Sequence, residues 1–120
     1  MQPGRRQERI TELLKRVVSE VLQRELSLAD VGLLSVNEVR VPRDLKTATI
    51  YVGVVGSAAQ RKKAAEVLQS ETWRLQMSVG HAIRLKETPH LRFVIDDSIE
   101  RGNRVLEILD ELSPGSGPVG

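Results

Sequence analysis

From Arg5 to Leu26 the apolar residues Ile10, Leu13, Leu14, Val17, Val18, Val21 and Leu22 recur at intervals of three and four, which predicts an amphipathic helix with one buried stripe. Arg5, Arg9, Arg16 and Gln23 fall on its solvent side, and Asp30 with Gly32 marks a loop beyond it. Residues 33 to 41, LLSVNEVRV, read as a strand whose apolar parity changes between Val36 and Val39. A change of parity requires one extra residue, so a bulge is expected near Asn37 and Glu38. Pro42, Arg43 and Asp44 turn the chain, and Lys46 to Val55 then alternates with Ala48, Ile50, Val52 and Val54 on one face. The two strands are expected to form a hairpin.

Ser57 and Gln60 have the spacing of a capping box, so a helix is expected to begin there and to carry Ala64, Ala65, Val67 and Leu68 inward. Helical spacing resumes with Leu75, Val79, Ala82 and Ile83, which leaves Arg74, Ser78, His81 and Arg84 towards the outside. Gly80 inside this run points to a close backbone approach or a bend, because a mid-helix glycine costs about 1 kcal/mol relative to alanine. Pro89 is expected to end the helix, and Leu91, Phe93 and Ile95 alternate as a third strand. Asp97 to Glu100 offers a cap for a last helix with Val105, Leu106, Ile108, Leu109 and Leu112 as its apolar side. The order helix, strand, strand, helix, helix, strand, helix predicts an α+β fold, a three-stranded sheet packed on one face against helices. One domain is expected over residues 1–112, with residues 113–120, SPGSGPVG, as a flexible C-terminal tail.

The length of 120 residues suits a single domain able to fold alone, and the absence of cysteine removes disulfides, thiolate metal sites and cysteine catalysis. No apolar run approaches the roughly 20 residues that span a bilayer, and the basic start is followed by no signal-peptide core, so a cytoplasmic protein without membrane contact is expected. Tyr51, Trp73 and Phe93 are the only aromatic residues, too few for a module that reads single-stranded bases on several stacked rings. Residues 1 to 95 hold 16 Lys+Arg against 10 Asp+Glu, a net +6, while residues 96 to 120 hold 2 against 6, a net −4. That asymmetry suits a polyanion on the first part of the surface, and solubility alone would also tolerate it.

Two successive helices between a hairpin and a last strand is the type II KH arrangement, whose helix junction normally carries a Gly-x-x-Gly backbone clamp for nucleic acid. The one literal match, Gly53-Val54-Val55-Gly56, lies at the end of the second strand, and the junction itself, QSETWR from Gln69 to Arg74, has no glycine. Four segments make the likeness specific: RRQERITELLKRVVSEVLQREL; VNEVRVPRDLKTATIYV; GHAIRLKETPHLRFVIDDS; and GNRVLEILDEL. Over about residues 5 to 112 the chain resembles the ribosome-binding factor A family, bacterial factors of small-subunit assembly.

The resemblance implies an RNA-binding KH-like domain without the glycine clamp. Such a domain joins immature small ribosomal subunits, assists late maturation of small-subunit ribosomal RNA and leaves before translation, without catalysis or cofactor. It also points to a monomer working alongside assembly GTPases. The family usually has Ala or Ser, any residue, then Gly as a helix kink; the matching stretch here, Ser70 to Trp73, holds Glu71, Thr72 and a bulky Trp73 instead.

An enzyme would have to be built from His81, His90, Asp96 and Asp97. His90 reads most simply as a half-exposed loop residue, His81 as a surface residue or a phosphate contact, and Asp96-Asp97 as a helix cap rather than a metal site, since neighbours on a strand face opposite ways. No phosphate-binding loop, HExxH run or nucleophile elbow is present. A protein-interaction module using a sheet edge or helix groove is the stronger rival. For RNA, the expected face holds Arg74, Ser78, His81, Arg84 and Lys86, extended by Arg61, Lys62 and Lys63, with Arg43 and Lys46 as outer contributors. Arginines grip phosphate bidentately, lysines act as point charges, and Gly80 lets ribose or phosphate near the helix backbone. Three cations in the first turns of a helix oppose its dipole, which fits an anion-binding use or a plain solvated turn. Arg5, Arg6 and Arg9 form a second basic patch, equally readable as a solvated helix start.

Overall fold

A computed structural model describes residues 5–96. The last helix expected from Asp97 to Leu112, and the tail after it, lie outside the described residues. The element order is α1 (Arg5–Glu25), α2 (Leu28–Val31), β1 (Leu33–Arg40), β2 (Thr47–Val55), α3 (Ala58–Ser70), α4 (Thr72–Ala82) and β3 (His90–Ile95). β2 is central, antiparallel to β1 and parallel to β3. Parallel neighbours cannot be joined by a tight turn, and α3 with α4 supplies the required crossover.

The α1 stripe is buried as its spacing predicts: Ile10, Leu14, Val17, Val18, Val21 and Leu22 pack into the core, with Leu13 partly buried against it. α1 lies on β1 and against α4. Each fully buried Leu or Val here contributes roughly 1.5–3 kcal/mol, so this one helix face supplies a large share of the driving force for folding. Leu34, Val36 and Val39 on β1, Ala48, Ile50, Val52 and Val54 on β2, and Leu91 on β3 complete the sheet side of the core. The register shift falls between Val36 and Glu38, so Asn37 is the extra residue and the parity change is real. The described helices cover one face of the sheet. On the other face stand Glu38, Arg40, Thr49, Tyr51 and Arg92, with the Arg40 guanidinium 5.1 Å from the centre of the Tyr51 ring and paired with Glu38.

Three local expectations change. Residues 28 to 31, expected as loop, form the single turn α2, which ends at Gly32 with a φ of 74°, a left-handed conformation that favours glycine. Ala65 is exposed, because α3 turns only Ala64 and Leu68 fully inward and Val67 partly. α4 stops at Ala82, not at Pro89: Ile83 is extended, with φ −111° and ψ 145°, and is thereby buried while Ala82 is left exposed. Arg84 to Lys86 therefore belong to a loop rather than a helix end, and Pro89 is a buried residue just before β3. The Gly53 to Gly56 stretch runs from β2 into the turn before α3, away from the helix junction.

Candidate nucleic-acid interface

The α3 N-terminus carries both halves of the capping box: the Gln60 amide donates to the Ser57 hydroxyl at 3.1 Å, and the Ser57 amide donates to the Gln60 side chain at 2.8 Å. Arg61, Lys62 and Lys63 follow in the first turns, Lys62 and Lys63 exposed and Arg61 partly buried. No acidic residue stands in that first turn.

At the far end of α3 the chain leaves helical geometry for one residue, Glu71, with φ −102° and ψ 12°. The break needs no glycine. Thr72 accompanies the break, its hydroxyl donating to the carbonyls of Leu68 at 2.6 Å and Gln69 at 3.0 Å and so serving the carbonyl end of α3. The Glu71 amide still bonds Val67 and the Leu75 amide bonds Glu71, so the two helices stay hydrogen-bonded across the break.

Arg74 lies one turn beyond, and its guanidinium is divided between two carboxylates: Nε donates to Glu71 at 2.6 Å and Nη1 to Glu25 at 2.6 Å. The hydrogen bond to Glu71 is the main cause holding its pKa above the ordinary arginine value. The Glu25 contact ties α4 to the end of α1, so Arg74 acts as an anchor between helices. Ser78 is half-buried, and His81 and Arg84 are exposed farther along α4 and just past its end. Gly80 is half-buried but not crowded by another backbone: a Cβ there would make one ordinary van der Waals contact, with Thr88 Oγ1 at 3.6 Å.

A groove of about 490 Å³ runs between α3 and the edge strand β3, walled by Ala65, Leu68, Gln69 and Thr72 on the helix side and by His90, Leu91, Arg92, Phe93 and Ile95 on the strand side. Apolar and polar residues both line it, Leu68, Leu91, Phe93 and Ile95 beside Gln69, Thr72, His90 and Arg92. Gln76 closes one end of the strand edge, accepting from the Leu91 amide at 2.6 Å and donating to the Pro89 carbonyl at 2.9 Å. Arg92, Gln69 and Thr72 are groove residues that sequence reasoning missed; Arg92 alternates onto the helix-free face, so its parity gave no signal, and it meets the groove because β3 is an edge strand.

A second cleft, of about 390 Å³, lies at the N-terminal end of β2. Arg6 from α1, Arg43 and Lys46 from the β1–β2 turn and Lys86 from the loop before β3 all line it, with Asp44 and Glu87 as the acids present. The turn is fixed by the Leu45 amide bonding Pro42 at 2.9 Å and by Leu45 itself, left-handed at φ 57° and packed against the core. The structure thus unites part of the expected second patch with the outer contributors of the first. It does not unite them with Arg61 to Lys63, because β2, nine residues and about 30 Å long, separates this cleft from the chain end that leads into α3. Arg9 is exposed on α1, where Arg5 is the first helical residue. Among the described residues no group of three His, Asp or Glu side chains is placed to hold a metal, and Asp96 accepts from Asn37 at 3.2 Å. No described helix is long and apolar enough to cross a membrane.

Comparison with known proteins places this arrangement. The model of the family described as ribosome-binding factor A matches residues 6–109. A ribosome-binding factor A of Macrococcus caseolyticus is 36% identical over 108 residues, covering 90% of this chain and 95% of that one. Among solved structures, the crystal structure of ribosome-binding factor A from Thermus thermophilus superposes with a TM-score of 0.63 at 24% identity, over 73% of this chain and 93% of that one. A homology model of Thermus thermophilus ribosome-binding factor A, as fitted into a cryo-EM map of a 30S complex, matches with a TM-score of 0.61 at 25% identity, over 72% and 91% of the two chains. An α+β, KH-like architecture with a glycine-free helix break, matched over most of its length by proteins of one name, makes this chain a member of the ribosome-binding factor A family.

Proposed function

We propose that the protein binds immature small ribosomal subunits and assists late maturation of their ribosomal RNA, without catalysis and without a cofactor. The observation that carries this reading is the convergence of Arg6, Arg43, Lys46 and Lys86, from three separate segments of chain, on one cleft. Four cations against two acids at a concave site focus a positive potential that suits a phosphate backbone. The 30S complex of the Thermus relative, at 25% identity, supports the same partner for this chain. The groove between α3 and β3 is the place for a single strand, its lining of Leu68, Leu91, Phe93 and Ile95 offering apolar surface to a base.

In this reading the cleft cations, Arg84 and the exposed Lys62 and Lys63 with Arg61 neutralise phosphates, His81 and Ser78 add polar contacts, and Gly80 leaves room beside α4. Arg74 contributes by holding α4 on α1. Arg9, exposed one turn beyond Arg6 on α1, adds a further cation. The protein acts in the cytoplasm as a monomer, alongside assembly GTPases.

Co-sedimentation with isolated small subunits and with full ribosomes at increasing salt tests the proposal. Selective retention on small subunits that weakens steeply with salt is the expected result. A folded protein that sediments with neither mature nor immature subunits would overturn it and return the sheet edge and helix groove to consideration as a protein-docking site.

A further inference from the structure

Trp73 is the chain's only tryptophan and it is 74% exposed. Tryptophan is ordinarily well buried, because so large an apolar ring gains much from leaving water. Here it stands second in α4, directly after the Glu71 break and one residue from Thr72, which lines the groove. Met77, one turn on and 41% exposed, extends the apolar surface along the outward side of the helix. Nothing in the described core requires this placement: Leu75 and Val79 already bury the inward side of α4 completely.

Accepting the RNA-binding reading above, we propose that Trp73 is the base-stacking residue of that interface: its indole takes an unpaired base of ribosomal RNA at the helix break where other KH domains clamp backbone with glycines. Charge favours this occupant. α4 contains no acidic residue, and beyond Met77 the outward side leads to His81, Arg84 and Lys86, all accessible to solvent. The two carboxylates near the break, Glu71 and Glu25, are matched by two cations, Arg74 at 2.6 Å from each and Arg24 at 3.6 Å from Glu25. Area points the same way. A stable protein interface buries about 800 Å² on each partner, far more than one Trp and one Met offer, whereas a single base needs only one aromatic face. Stacking is indifferent to base identity, so this contact adds affinity and fixes position without reading sequence.

The sole tryptophan makes the test direct. Short end-labelled single-stranded oligoribonucleotides are titrated with the full chain, following label anisotropy and Trp73 emission together, with an abasic oligomer of equal charge as the second probe. The expected result is quenching of emission in step with binding by the base-bearing oligomer, no quenching by the abasic one, and about tenfold weaker binding by Trp73→Ala. Trp73→Phe should retain most of the affinity, and Trp73→Ala should keep the native salt dependence because no phosphate contact is lost. Equal affinity of native and Trp73→Ala proteins for the base-bearing oligomer, or equal quenching by the abasic one, overturns the stacking role while leaving subunit binding in place. Loss of small-subunit retention in Trp73→Ala with unchanged oligomer binding would assign the ring to a ribosomal protein instead, which also overturns it. Failure of the native protein to bind any oligomer or any subunit would sink the RNA-binding reading itself.

Discussion

Two cationic regions of this molecule are built in opposite ways. Arg61, Lys62 and Lys63 are consecutive in the chain, yet on a helix successive side chains point about 100° apart, so the run is fanned around α3 and Arg61 is partly buried. Arg6, Arg43, Lys46 and Lys86 are spread over 80 residues of sequence, yet the fold brings all four to one cleft. A cluster in sequence is thus not a cluster in space, and for a polyanion only the second kind concentrates potential.

The strongest way to break this contrast is to remove each region in turn. Replacing Arg43, Lys46 and Lys86 together by alanine is expected to lower small-subunit affinity by at least about tenfold at moderate salt. It should also reduce the slope of log affinity against log salt by about 2, each lost phosphate contact removing roughly 0.7–0.9. The Arg61, Lys62, Lys63 triple alanine variant should reduce that slope by only about 1, since a fanned run presents fewer side chains to one backbone. Co-sedimentation across a salt series measures both, and a larger slope change in the α3 variant would reverse the assignment.

Single substitutions sharpen the contrast between cations that anchor and cations that bind. Arg74→Ala should cost up to about 1 kcal/mol of stability in urea denaturation, the range of a partly exposed ion pair, with little change in the salt slope. Arg84→Ala should do the reverse, leaving stability within about 0.5 kcal/mol and reducing the slope. Gly80→Ala is the smallest effect, a gain of up to about 1 kcal/mol, because helix propensity favours alanine and the added methyl meets only Thr88 at 3.6 Å. An alanine variant that is stable but binds more weakly would show that Gly80 is kept open for RNA.

Local signals in the sequence carried most of the fold. The α1 stripe, the one-residue parity shift at Asn37, the alternation of β2 and the Ser57–Gln60 capping box each depend on neighbours within a few residues, and each is present in the structure. What the sequence hid depends on partners far along the chain. Pro89 marked the end of a helical pattern, but α4 ends seven residues earlier because an extended Ile83 reaches the core. Arg74 is exposed as its spacing implies, but its partner Glu25, 49 residues away, was not legible. Arg43, Lys46 and Arg6 were legible as basic residues, while their meeting with Lys86 was not, since no periodicity encodes the closing of a cleft.

The side chain of Gln76 has a consequence for the behaviour of the protein at high concentration. Among the described residues β3 is an edge strand, and an exposed row of amides and carbonyls is a template on which another chain can add and continue into aggregates. By bonding the Leu91 amide and the Pro89 carbonyl from within α4, one glutamine occupies the rung at which such an added strand would begin. Gln76→Ala should lower stability in urea denaturation by about 1 kcal/mol or more, since two part-buried backbone groups lose their partner, and should also shorten the time a concentrated solution stays clear by light scattering.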